Sequence, residues 1–392
     1  MKICIIPNGY PDKRDPQYGC FEKDQALALK SIGHEVSILY VDSRLRWWWR
    51  KIGFTHKSID GLEIYSIFVF PFNIFAILPF CGSLIYRIKT VLMQNLFSRL
   101  VKDQGMPNVL YAHYMTNIAY GVYLKKKNGI PLVGIEHWSM LTKDSLSDSI
   151  IRKGRLAYDN CDKLLSVSES LKLQIKKHFG NDSLVVPDMI GREFVREVSM
   201  EGNVSLDNLN GIFNYLAIGS LIPRKGFDLL LEAFAKAKLK EMSCKVLIIG
   251  GGQEYENLQN QARSLGITEA VRLMGRKNKE EIINIMRASH VFVLSSRAET
   301  FGVVCIEALS QGLPNIATIC GGPEEILTKE DGILIPIEDT DALAEAMKEI
   351  YYNYSKYDKK NISDRCKKKY APNVIAAELT TIFEETIYNL KS

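Results

Sequence analysis

Two acids, Glu299 and Glu307, stand eight positions apart in "ETFGVVCIEAL", a segment otherwise apolar enough for a core. The run from Phe301 predicts a helix that starts beside Gly302. The first N–H groups of a helix have no intrahelical partner, so those of Val303 and Val304 can donate to phosphate oxygens, helped by the helix dipole. Glu307 falls about six residues into that helix, ~9 Å along its axis at ~1.5 Å per residue. Carboxylates are strong acceptors for vicinal hydroxyls. A phosphate at the helix mouth would then have one hydroxyl clamp on each side, Glu299 for a sugar and Glu307 for a ribose. The plainer reading makes Glu299 a helix-capping acid and Glu307 a solvated helix residue.

A second stretch, "AIGSLIPRKGFDLLLEAF" (217–234), runs from a strand through Gly219 into a loop with Arg224 and Lys225, then through Gly226 into a helix. Two cations before a helix N-terminus suit a diphosphate, because side-chain charge adds to the free N–H groups. Ordinary surface cations are the alternative. In "CGGPEEIL" (320–327), paired glycines allow close approach of backbone to ligand, or simply make a turn. Gly9 and Gly19 flank a long loop after the first strand, placed to close over a ligand. His113, His137 and Ser168 also fall at strand ends; both histidines can equally be satisfied core residues.

The elements that must position these residues read as two series of short, continuously apolar runs. The first comprises 2–7, 35–41, 64–70, 109–114, 132–137, 163–168 and 184–187; the second, 214–219, 245–250, 271–275, 291–296, 315–319 and 332–336. Such runs suit parallel strands buried on both faces, and the helical segments between many of them imply β-α-β units. The expected fold is α/β, two doubly wound Rossmann-like domains facing across a cleft. Residues 1–190 form the first domain, 191–210 a linker, and 211–372 the second domain. A C-terminal helix over 373–392 is expected to cross the interface and pack back on the first domain. In open α/β sheets, ligands bind beyond the carboxyl ends of the strands, where the residues named above lie.

The chain has 392 residues, 46% hydrophobic and 24% charged, with a net charge of +5. That is a globular composition long enough for two cores, and its mild charge does not point to nucleic acid. Eight scattered cysteines without a C-x-x-C argue against a zinc site or a disulfide framework and for a reducing, cytoplasmic compartment. The start, "MKICIIPNGYP", lacks the long apolar stretch of a signal peptide. The longest apolar candidate, 64–82, is interrupted by Pro71, Asn73 and Pro79, too broken for a spanning helix.

Taken together, Glu299 to Glu307, "GSLIPRKGFDLLLEAF", "GGGQEYENL", "SSRAETFG" and "GGPEEIL" resemble the family 4 glycosyltransferases, which are retaining and have the GT-B fold. The resemblance covers most of the chain and is looser in the N-terminal half. It implies that Lys225, helped by Arg224, binds the donor diphosphate, and that Glu299 and Glu307 hold donor-sugar and ribose hydroxyls. It further implies Phe301 in the donor site, backbone contacts from Gly302, Val303 and Val304, a base framed by Gly275, Arg276 and Lys277, and His113 by the anomeric carbon. Gly19 would meet the donor; Gly9, His137 and Ser168 would lie on the acceptor side. The co-substrate would be a nucleotide diphosphate sugar, the acceptor a glycan or lipid-linked molecule, with no cofactor and no metal. Many members have Arg after the glycine of the basic loop, where this chain has Ser220, so Arg224 would substitute. The domain junction also departs, reading "PDMIG" rather than P-N-G.

Other readings compete. "VLIIGGGQEYENL" carries G-x-G, but Tyr255 replaces the third glycine of a dinucleotide fingerprint. "EDTD" (338–341) contains a D-x-D, yet it precedes "ALAEAM", where Asp339 or Thr340 would cap a helix. Trp47, Trp48 and Trp49, flanked by cations in "RLRWWWRK", either meet a bilayer interface as a peripheral membrane contact or pack into the first domain. A non-catalytic nucleotide-sugar or glycan-binding protein, or a nucleotide-sugar epimerase, would use the same fold.

Overall fold

The computed structural model describes residues 1–12, 15, 18–43, 51–70, 81–195 and 211–390. Trp47, Trp48, Trp49 and residues 196–210 of the expected linker lie outside the described residues. The chain forms two compact units, Met1–Pro187 with Pro372–Ser392, and Asp188–Ala371.

The first unit is built on eight strands: β1 (Lys2–Ile6), β2 (Glu35–Asp42), β3 (Gly53–Ile59), β4 (Leu62–Phe68), β5 (Val109–His113), β6 (Leu132–Glu136), β7 (Lys163–Ser166) and β8 (Leu184–Val185). Their order is β3-β4-β2-β1-β5-β6-β7-β8, parallel throughout except for β3 against β4. Every residue of β5 and of β6 is buried, which is why these strands read as unbroken apolar runs. The sequence runs missed β3, because its residues are half-buried or exposed and it carries no apolar face to the core. Its hairpin turn, Asp60–Gly61, holds both residues at positive φ, the Asp-Gly signature of a tight two-residue turn. The helix Pro372–Asn389 belongs to this unit; it packs on the helix Cys20–Ser31, and Phe383 lies edge-on to Tyr111.

The second unit has six strands, all parallel: β9 (Phe213–Ile218), β10 (Cys244–Ile249), β11 (Val271–Leu273), β12 (Val291–Leu294), β13 (Asn315–Thr318) and β14 (Gly332–Ile335), in the order β11-β10-β9-β12-β13-β14. Residues 188–195 join this unit rather than forming a domain end and a linker. The Ile190 N–H donates to the Tyr370 carbonyl, Gln311 donates to the Phe194 carbonyl, and Phe194 is buried.

Each sheet changes winding direction once. The chain leaves β1 toward β2 and returns to the other side at β5; it leaves β9 toward β10 and returns at β12. Crevices open at such switch points, beyond the carboxyl ends of the two diverging strands. The loops after β1, β5, β9 and β12 are therefore where each sheet offers a site. Among the described residues, no helix is long and apolar enough to cross a membrane.

Candidate functional site

In the second unit, the loops after β9 and β12 are joined residue by residue. Pro223–Lys225 form one short turn, closed by Gly226 at φ 63°. A Cβ at Gly226 would lie 1.9 Å from the Ser295 carbonyl oxygen, so only glycine lets the two loops meet. Ser295 Oγ donates to the Lys225 carbonyl at 3.3 Å. The Lys225 ammonium then donates to Glu299 Oε1 at 2.5 Å, and Ser296 Oγ donates to the same oxygen at 2.7 Å. Both side chains of the ion pair are largely enclosed, 16% and 10% exposed. At that burial the pair is screened far less than a surface one.

Beside this pair, Gly302, at φ 96°, opens the helix Val303–Ser310. The "CGG" loop after β13 packs on it, with Gly322 so close that a Cβ would lie 2.1 Å from the Phe301 carbonyl oxygen. Glu299 N–H donates to the Cys320 carbonyl, which ties that loop to the acid. The Phe301 side chain is buried, edge-on to Tyr370. Glu307 is half-buried on the helix. Arg224 is half-buried and, among the described residues, forms no side-chain ion pair. Gly275 ends β11's loop at φ 68° and accepts from the Gly250 N–H; Arg276 is exposed, and Lys277 pairs with Glu281 at 3.0 Å.

The glycine run 250–252 serves packing. Cβ atoms at Gly250 and Gly252 would strike the carbonyl oxygens of Gly219 and Leu221 at 1.8 and 2.3 Å. Leu221 N–H also donates to the Gly251 carbonyl. Asp339 of the D-x-D accepts from the Ala342 N–H and caps the helix Thr340–Asn353, as its sequence context indicates.

The first unit gathers a different set. His113 is fully buried at the end of β5; its Nδ1 shares a 3.2 Å hydrogen bond with His137 Nε2, the rings stacked at 5.3 Å. His113 Nε2 is buried with no hydrogen-bond partner among the described residues. Tyr114 follows at φ 68°, a backbone state that costs a side-chain-bearing residue ~1–3 kcal/mol and persists only where neighbours enforce it. Asn117 does so by donating to the His113 carbonyl at 2.8 Å and to Asn8 Oδ1 at 3.0 Å. Glu136, fully buried, accepts from the N–H groups of Met115, His137 and Trp138 and from the Tyr158 hydroxyl. Burial and the Glu136 charge push the Tyr158 phenol well up, so it stays a donor. Gly9 lies against the Tyr18 ring, and Gly19, at φ 77°, against the Gly9 carbonyl, so the two close the base of their loop. Ser168 is placed otherwise than on an acceptor surface: it is buried, and its Oγ caps the helix Glu169–Phe179 through the Leu171 N–H at 3.0 Å.

Sequence reasoning missed Glu136, Tyr114, Ser296 and Arg297. An acid closing the otherwise apolar run "LVGIE" was the available signal for Glu136, and a cation directly after a buried strand was the signal for Arg297. Nothing in the sequence marks Tyr114, whose strain exists only in the fold.

Burial, then the neighbouring His137, lowers the His113 pKa well below the ordinary histidine value, so His113 is neutral in the fold. Unfolding frees it to bind a proton. The stability linked to His113 is thus fully present above ~6.5 and is lost as pH falls from there toward the depressed native value, by up to ~1.4 kcal/mol per pH unit. His113→Gln should flatten this acid limb. Melting curves at pH 7.5 and 5.5 check it, and an equal acid shift in both proteins would refute it.

Residues 211–368 match the sequence profile of the family described as glycosyl transferases group 1. An uncharacterized glycosyltransferase of Methanocaldococcus jannaschii is 28% identical over 258 residues, 65% of this chain and 68% of that protein. Among solved structures, sucrose-phosphate synthase of Thermosynechococcus elongatus superposes with a TM-score of 0.76 at 17% identity, covering 99% of each chain. The Anabaena HepE protein, solved in complex with UDP and glucose, gives 0.74 at 16% identity over 98% of this chain and all of that one.

Proposed function

We propose, from the match of residues 211–368 to the group 1 glycosyltransferases and from the GT-B fold, that the chain is a retaining, metal-independent hexosyltransferase. It moves a hexose-type sugar from a nucleotide diphosphate sugar to a glycan or lipid-linked acceptor in bacterial surface polysaccharide synthesis. A lipid-linked acceptor would bring it to the inner face of the cell membrane. The observation that carries this reading is the enclosed Lys225–Glu299 pair beside the Gly302 helix mouth. Lys225 can exchange its carboxylate for a diphosphate oxygen while Glu299 exchanges its ammonium for a sugar hydroxyl. Neither charge is then left bare during exchange, which a largely enclosed site requires. The UDP and glucose bound by HepE, a protein of the same fold, agree in kind with this donor class.

In the proposed step the anomeric carbon–phosphate oxygen bond breaks, with charge developing on the leaving diphosphate. The Lys225 ammonium, Arg224 and the Val303 and Val304 N–H groups stabilise that charge. The acceptor oxygen bonds to the same face of the anomeric carbon, and its proton passes to the departing phosphate oxygen. No protein nucleophile is needed. The unpartnered Nε2 of neutral His113 is offered as a hydrogen-bonding group for a sugar hydroxyl. Labelled UDP- and GDP-hexoses should be turned over only with acceptor present and equally well in EDTA. NMR of the product should show the donor's anomeric configuration. Inversion would refute the retaining step, and donor consumption without acceptor would favour an epimerase.

A further inference from the structure

Arg297, which directly follows the "SS" after β12, does not point its charge at a ligand. Its guanidinium forms a two-pronged bond to Asp228, Nη1 to Oδ1 at 3.0 Å and Nη2 to Oδ2 at 2.8 Å. It also donates to the Pro223 carbonyl and to Glu338. Its backbone N–H donates to the Arg224 carbonyl at 2.8 Å. Pro223 and Arg224 precede Lys225; Asp228 follows it, in the first turn of the helix Phe227–Lys236. Arg297 therefore grips the chain on both flanks of Lys225. Burial alone raises the Asp228 carboxyl, but the Arg297 bonds and charge outweigh it and hold Asp228 low and ionised. Asp228, in turn, is the first cause of an Arg297 pKa above its ordinary value.

We propose that Arg297 is a positioning residue for the leaving diphosphate: its clasp on residues 223, 224 and 228 fixes the Lys225 turn in the orientation that presents the ammonium to the site. Other bonds also hold this loop, Ser295 Oγ to the Lys225 carbonyl and Leu221 N–H to the Gly251 carbonyl, but the Arg297 fork spans both flanks of Lys225. The loop is a single turn between two glycines, Gly219 and Gly226, and its own backbone bonds, Lys225 N–H to Ile222 and Gly226 N–H to Pro223, span three residues each. A turn this short does not by itself fix where a four-carbon side chain points. Lysine at 297 keeps the charge but lacks the planar fork that engages both Asp228 oxygens and a carbonyl at once. The proposal rests on the donor-site reading above, and it separates Arg297 from the groups that touch phosphate.

The test compares wild type, Arg297→Lys and Asp228→Asn by calorimetric binding of UDP, GDP, UMP and GMP. Wild-type binding of either diphosphate establishes the donor site itself; if neither binds, the donor reading falls and this proposal with it. With that binding in hand, both variants should bind the preferred diphosphate about tenfold more weakly, ~1.4 kcal/mol. Affinity for the matching monophosphate should change less than about twofold. A residue that merely stabilised the fold would weaken both nucleotides alike. Introducing Lys225→Ala into the Arg297→Lys protein should add less than Lys225→Ala costs alone, because residues acting through one another are non-additive. An unchanged diphosphate-to-monophosphate ratio in both variants, or full additivity with Lys225→Ala, would overturn the proposal while leaving the donor site standing.

Discussion

Lys225→Ala is expected to lower kcat for sugar transfer by about 10²–10³, the loss seen when one preorganised donor to a developing oxyanion is removed. The ammonium is the group in the second unit already held within an enclosed site, 2.5 Å from Glu299. Its removal leaves Glu299 largely buried, with Ser296 Oγ still donating to its Oε1. Breaking one partner of such a pair also costs stability, since the remaining charge loses its compensation. Lys225→Arg should recover part of the rate by restoring charge at a displaced position. Single-turnover measurements with saturating donor isolate this step from product release. A rate within threefold of wild type would remove Lys225 from the leaving-group role.

The second large effect is expected for Gly226→Ala, although no chemistry is altered. Gly226 sits at φ 63° and a Cβ there would fall 1.9 Å from the Ser295 carbonyl oxygen. The left-handed backbone alone costs an L-residue ~1–2 kcal/mol. The overlap with Ser295 cannot be relieved by a rotamer change, because the obstacle is main chain. The two loops must part, which moves Lys225 away from Glu299. Gly226→Ala should therefore lose at least ~2 kcal/mol of stability, ~4–8 °C in melting temperature for a unit of this size. It should also lose nearly as much transfer rate as Lys225→Ala. A protein melting within 1 °C of wild type and retaining half its rate would show that the loops need no such contact.

These two residues were unequally legible. Lys225 announces itself as a cation on a loop between a strand and a helix. Gly226 reads as an ordinary turn glycine until Ser295, sixty-nine positions on, is seen pressed against it. The same asymmetry holds more widely. The buried strands were legible because parallel strands covered on both faces must be continuously apolar, as in "VLYAH" and "LVGIE". Strand β3 was not, because it lies at the sheet edge, facing solvent, and is held by its pairing with β4. The acids and cations that would meet a ligand were legible from type and position. The residues that hold them were not: the partner of Arg297, Asp228, lies 69 positions away, while Ser296 and Glu136 bond mostly nearer residues that only the fold turns toward them. Ser168 shows the converse: a strand-end hydroxyl is as apt to cap the next helix as to meet a ligand.

The return of Pro372–Asn389 to the first unit sets an order of assembly on the ribosome. The second unit is one uninterrupted stretch and is synthesised whole before that helix emerges. Until then the helix Cys20–Ser31 lacks the helix that packs on it, and the ring of Tyr111 lacks Phe383. At ~5–20 residues per second, the earliest-made domain is thus the last to finish folding, its apolar flank open to chaperones while its younger neighbour is already closed.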